Sequence, residues 1–147
     1  MDFRIIIDTR EQAPYGFACA TLRRKLDAGD YSVDGQDRLV AVERKSLKDF
    51  VTTVIHDFAR FAAELEKLAK LPAACVVVEA DLDHVLRGLA VADCRGASPE
   101  SILGAAIHVG LRYGVPVFWC GSRQAARAFT DAYLRMFVRL RAQGGCP

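Results

Sequence analysis

With 147 residues, 52% of them hydrophobic, the chain is long enough to bury a core of its own and short enough to be read as one domain. No apolar run approaches the roughly 20 residues that a membrane-spanning helix needs, and Met1-Asp2-Phe3-Arg4 leads straight into a strand, so no signal peptide is expected. A formal net charge of +2 is too close to neutral to identify a nucleic-acid-binding protein by itself.

The first expected element is a buried strand over residues 3–8, carried by the β-branched run Ile5-Ile6-Ile7. Pro14-Tyr15-Gly16 marks a loop, and residues 20–26 suit either a strand or a short helix, with the extended form preferred. Residues 30–33 and 39–45 form a hairpin turned at Asp34-Gly35. Ser46 with Asp49 three residues later reads as a capping box opening a helix. From there Phe50, Val54, Phe58, Phe61, Leu65 and Leu68 make one apolar stripe, with a break expected near His56-Asp57 because Val51-Thr52-Thr53-Val54-Ile55 is poor in helix formers. Cys75-Val76-Val77-Val78 is a second buried strand, followed by a helix over 82–89 and a polar loop at Arg95-Gly96-Ala97. Ser98-Pro99 opens a helix that Gly114 ends, and residues 115–120 are a third buried strand. Ser122 opens the last helix, with Ala125, Ala128, Phe129, Ala132, Tyr133, Met136 and Leu140 as its apolar stripe. Strands alternating with helices predict an α/β fold, a central mixed sheet with helices on both faces.

Five cysteines (Cys19, Cys75, Cys94, Cys120, Cys146) contain no CxxC pair and argue against a disulfide framework or a zinc site. Cys75 and Cys120 border apolar strands and read as reduced core residues, and cytoplasm is the simplest compartment. His56, His84 and His108 lack partners at metal-ligand spacing, and Trp119 and Phe118 read as core. Basic clusters at Arg23-Arg24-Lys25 and at Arg135, Arg139 and Arg141 are either DNA contacts or solvated surface.

The chemistry concentrates in Val42-Glu43-Arg44-Lys45-Ser46-Leu47-Lys48-Asp49, downstream of Gly29-Asp30-Tyr31. On a strand, Glu43 and Lys45 share one face and Arg44 takes the other. Asp30 on the neighbouring strand lies within reach of Glu43. Two carboxylates and an ammonium at one spot can hold a divalent metal and orient a water, the outline of a phosphodiester-cleaving site. Arg10 has the fork geometry for a phosphate, and Glu11 either assists the metal or pairs with Arg10. Arg44 is either a phosphate contact or a structural partner of a carboxylate such as Asp8 or Asp49. Asp49 has its helix-capping role, and Arg60 either reaches the site and DNA or lies on a solvated helix face. Glu79 reads as a strand-terminal surface carboxylate more readily than as a distant member of the cluster.

Three ordered blocks, Ile5-Ile6-Ile7-Asp8-Thr9-Arg10-Glu11, Leu26 through Gly29-Asp30-Tyr31, and Val42-Glu43-Arg44-Lys45 with Asp49, resemble the nuclease domain of the XPF/Hef family. Arg60-Phe61 with Glu64-Leu65, and the apolar strand ending in Glu79, extend the resemblance over nearly the whole chain. The resemblance implies a restriction-endonuclease-like fold, with residues 1–143 as the nuclease domain and 144–147 as a flexible tail. It implies a metal-dependent endonuclease acting on branched or single-strand/double-strand junction DNA in repair, recombination or replication. Asp30 and Glu43, with the main-chain carbonyl of Arg44, would hold Mg²⁺ or Mn²⁺; Asp8 would join them as an indirect or second ligand; Lys45 would orient the water or stabilise phosphate charge. Asp49 gains a supporting role. The family also contains inactive copies of this domain, so a non-catalytic DNA-binding scaffold is the alternative; no ligand of the motif is missing here, which favours the enzyme. Larger members carry a helix-hairpin-helix module after the nuclease domain, for which this chain has no room. The expectation is therefore a homodimer, built on the apolar stripes of the last two helices, or a partner subunit that supplies DNA grip.

Overall fold

The computed structural model describes residues 3–144. The isoleucine run forms β1 (Arg4–Ile7), buried from Ile5 onward. It is followed by β2 (Ala20–Arg23), β3 (Tyr31–Val33), β4 (Val40–Lys45), β5 (Ala73–Val78) and β6 (Val117–Trp119). The sheet order is β2-β1-β3-β4-β5-β6. β3 is antiparallel to both β1 and β4, whereas β1–β2, β4–β5 and β5–β6 are parallel, so the sheet is mixed. The expected third buried strand, β6, is a half-buried edge.

Each face has its own core. On one, Phe50, Val51, Phe61, Leu65, Ile102 and Val109 pack against Ala41, Val76 and Val78. They come from α1 (Leu47–Val51), α2 (Phe58–Ala69) and α4 (Pro99–Tyr113). The opposite face is covered by α5 (Arg123–Ala142), whose Ala126, Leu134 and Phe137 join Ile5, Ile7, Val42 and Val77. The alternation of side chains across β4 and β5 separates these two sets.

Several boundaries differ from expectation for local reasons. The β3–β4 connection turns at Asp34-Gly35 as expected but is one residue longer, residues 34–39, held by Gln36 N donating to Val33 O and Leu39 N to Gln36 O. The predicted break between helices is a π-helical turn over Thr52–His56, after which α2 starts beyond the non-helical Asp57. Thr52 Oγ1 and Thr53 Oγ1 donate to the carbonyls of Lys48 and Asp49, competing with the regular ladder. The helix expected over 82–89 is only α3 (Leu82–Leu86), followed by a 3₁₀ turn at Val91–Asp93.

The stripe expected on α5 was misplaced. Ala126, Thr130, Leu134 and Phe137 are buried, Phe129 and Tyr133 flank them half-buried, and Ala125, Ala128, Ala132, Met136 and Leu140 face outward. Ser46, Ser98 and Ser122 each accept from a backbone N–H three residues on, so all three N-caps form. No helix among the described residues is long and apolar enough to cross a membrane. Of the expected tail, all but Gly144 lies outside the described residues.

Candidate active site

Asp8 follows β1, Asp30 precedes β3 and Glu43 lies in β4, three neighbouring strands. Main-chain bonds fix their register: Asp8 N donates to Asp30 O, and Asp30 N to Val42 O, at 2.9 and 2.8 Å. Gly29 makes this approach possible. Its φ is +79°, and a Cβ there would lie 2.9 Å from Ala41 Cβ and 3.2 Å from Val42 O.

The result is a cleft of about 230 Å³ lined by Asp8, Arg10, Asp30, Glu43, Lys45, Arg60 and Glu64, among others. Lys45 Nζ stands 3.5 Å from Glu43 Oε2 and 4.9 Å from the centre of the Phe61 ring. The expected shared face of Glu43 and Lys45 is therefore present. Burial, the Asp30 charge and Glu64 push the Glu43 carboxyl well above the ordinary range, against the pull of Lys45. Asp30 is raised as well, by burial first and then by Glu11 and Asp8, although the Arg44 N–H and Lys45 oppose the shift.

Asp8 is almost completely buried and its two oxygens are occupied. Oδ1 accepts from Leu26 N at 2.8 Å, and Oδ2 accepts from Arg10 N and Nε at 3.1 and 2.9 Å. Arg10 Nη2 goes on to the Leu26 carbonyl at 3.0 Å. Burial alone would raise the Asp8 carboxyl, but these bonds outweigh it and hold it below its usual value. The Arg10–Glu11 pair expected from adjacency is replaced by Arg10–Asp8.

Arg44 leaves the other face of the sheet. Its partners are Glu79, with Nε 2.8 Å from Oε2, and Glu11, with Nη1 3.5 Å from Oε1, rather than Asp8 or Asp49. Glu79 is correspondingly a mostly buried hub and not a surface carboxylate: it also accepts from Tyr15 Oη at 2.6 Å and lies 3.7 Å from Arg123 Nη1. Burial would raise it, but Arg44 and Tyr15 outweigh that and lower it. Asp49 is exposed on α1, its N–H donating to Ser46 Oγ. Arg60 is exposed and still lines the cleft. Glu64 was not among the expected site residues; its signal was its place one helical turn after Arg60 on α2.

A divalent cation suits this donor set. Two carboxylates that crowd each other in a buried cleft, both held above their ordinary pKa, are relieved by a hard cation that prefers oxygen ligands. Among the described residues no three His, Cys, Asp or Glu side chains close into a ready-made metal cage.

A mixed six-stranded sheet that brings the ends of three adjacent strands to one acidic cleft defines a restriction-endonuclease-like α/β domain. The sequence profile of the ERCC4 domain matches residues 7–132, and the chain belongs to that family. Two solved structures are similar in fold. XPF from Aeropyrum pernix is 19% identical, with a TM-score of 0.69 over 90% of this chain and 60% of that one. XPF from Aeropyrum pernix in complex with DNA is 20% identical, with a TM-score of 0.70 over 93% of this chain and 66% of that one. The chain thus spans less than two thirds of either relative. A search of curated proteins returns no significant match.

Proposed function

We propose that this protein is a metal-dependent DNA endonuclease that hydrolyses phosphodiester bonds in branched, flap or fork DNA. The observation that carries the proposal is the convergence of Asp30, Glu43 and Lys45 in one cleft. Membership of the ERCC4 domain family and a fold neighbour solved with DNA support it.

Asp30, Glu43 and the main-chain carbonyl of Arg44 are the groups that would hold Mg²⁺ or Mn²⁺. When bound there, such a cation would polarise the phosphoryl oxygen and lower the pKa of a water. Lys45, 3.5 Å from Glu43, offers its ammonium to the scissile phosphate or to the attacking water. Phe61 under that ammonium limits its wandering. Asp8 lines the same cleft as an indirect or second ligand, and its hydrogen bonds hold Arg10 and the Leu26 main chain against it.

The exposed α4 residues Ile107 and Leu111 support the expected partner, a second copy of the chain or another subunit. Light scattering reads that state directly, and a strict monomer overturns the homodimer.

The test is cleavage of end-labelled flap, fork, Holliday-junction and duplex DNA with Mg²⁺ or Mn²⁺, comparing wild type with Asp30→Ala. Metal-dependent cutting of branched DNA that the substitution abolishes is the expected result. A folded protein that binds such DNA and cuts none of it would instead make the domain a scaffold subunit.

A further inference from the structure

Beside the acidic cleft lies a second groove of about 450 Å³, and Arg10 lines both. Its cations are Arg10, Lys25, Arg38, Lys67 and Lys70, against two carboxylates, Asp27 and Asp37. Such a concentration stands out in a chain whose total charge is only +2. Lys25, Arg38 and Lys70 make no ion pair among the described residues, whereas Arg23, Arg24 and Arg135 are engaged. Arg23 donates to the carbonyls of Thr9 and Glu11, Arg24 pairs with Asp34, and Arg135 pairs with Asp131.

The walls of the groove continue elements of the cleft. Residues 25–28 run directly into Gly29-Asp30, and Lys67 and Lys70 follow Glu64 along α2 and its end. Arg10 joins the two spaces physically, bonded to Asp8 on one side and to the Leu26 carbonyl on the other. The four carboxylates of the cleft outnumber its three cations, so a basic flank adds attraction for the strand that the cleft receives. Along one strand a phosphate recurs about every 3.4 Å of helix axis, close enough for neighbours of one bound phosphate to meet the adjoining surface.

We propose that this groove is a phosphate-backbone site for the DNA strand that continues from the acidic cleft, with Lys25, Arg38 and Lys70 as its principal contacts and Arg10 as the link. The proposal rests on the nuclease reading of the cleft and adds to it where the strand runs. Its contribution is ionic and independent of base sequence.

The test is the affinity for a fork oligonucleotide with Ca²⁺ in place of Mg²⁺, followed across NaCl concentrations. The triple variant Lys25→Gln/Arg38→Gln/Lys70→Gln is compared with Arg87→Gln/Arg95→Gln/Arg112→Gln, which removes the same charge from exposed positions outside both clefts. The groove variant is expected to bind more weakly and to lose about 2–3 from the slope of log K against log[salt], near 0.9 for each phosphate contact removed. The control variant should keep the wild-type slope. Equal losses in both variants, or an unchanged slope in the groove variant, overturn the proposal. Cleavage by wild type in Mg²⁺ is scored separately: a protein that never cuts but shows the groove-specific slope change refutes the catalytic reading and keeps the groove. One that cuts without that change does the reverse.

Discussion

The backbone N–H of Arg44 donates to Asp30 Oδ2 at 2.8 Å, while the Arg44 guanidinium leaves the opposite face of the sheet to reach Glu79. One residue therefore ties a carboxylate of the acidic cleft to the core beneath α5. Its charge serves to position β4, and its main chain orients Asp30.

Removing Glu79 should expose this dependence. Glu79→Gln leaves the mostly buried Arg44 guanidinium with Glu11 as its remaining carboxylate, and a loss of about 2–3 kcal/mol is expected in urea unfolding. The Glu79 carboxyl is held below its usual pKa, so its contribution is complete above the ordinary carboxylate pKa and disappears as pH falls through the lowered folded value. The stability gap between wild type and variant should accordingly narrow in acid. A pH-independent gap would contradict an ionic role for Glu79.

Asp30 should behave oppositely. Its carboxyl is raised in the folded state, so its stability contribution is complete below the ordinary carboxylate pKa and is lost as pH rises through the raised range. Asp30→Asn is therefore expected to stabilise the metal-free protein by on the order of 1 kcal/mol at pH 8, with little effect near pH 3. Mg²⁺ or Mn²⁺ should raise the melting temperature of wild type and leave that of the variant nearly unchanged. Equal metal-induced shifts in the two proteins would remove Asp30 from the ligand set.

Lys45→Met is expected to keep the metal-induced stabilisation while slowing cleavage by about 10²–10³-fold, the usual effect of removing one preorganised charge-stabilising donor. Single-turnover kinetics would read this. Normal cleavage by the variant would reduce Lys45 to a partner of Glu43.

Gly29→Ala tests the close approach that delivers Asp30. The added Cβ meets Ala41 Cβ and the Val42 carbonyl in a left-handed backbone conformation. The combined strain and overpacking predict a loss of about 2–4 kcal/mol. Cleavage at a temperature where the variant remains folded should fall too, because Asp30 is the next residue.

On α5, Leu134→Ala should cost about 2–5 kcal/mol, since the side chain is fully buried. Met136→Ala, nearly half exposed, should stay within about 0.5 kcal/mol of wild type. Thermal or urea unfolding of the pair distinguishes the observed buried face from the one expected from spacing alone.

Elements whose signal is local were legible in the chain itself. Ile5-Ile6-Ile7 and Cys75-Val76-Val77-Val78 are strands because apolar, mostly β-branched runs suit a sheet buried on both faces. Ser46, Ser98 and Ser122 cap helices because a side-chain oxygen meets a free N–H three residues on. The shared face of Glu43 and Lys45 follows from the two-residue period of a strand. Tertiary structure alone decided which charges meet across long separations. Nothing local in Arg44 points to Glu79, 35 residues away, or in Asp8 to the Leu26 N–H. Those pairs arise because parallel β4 and β5, and parallel β1 and β2, bring their ends together. The buried face of α5 was likewise set by the sheet it packs against: a helix carrying small and apolar residues around much of its circumference offers several adjacent stripes, and only the shape of the facing core selects one.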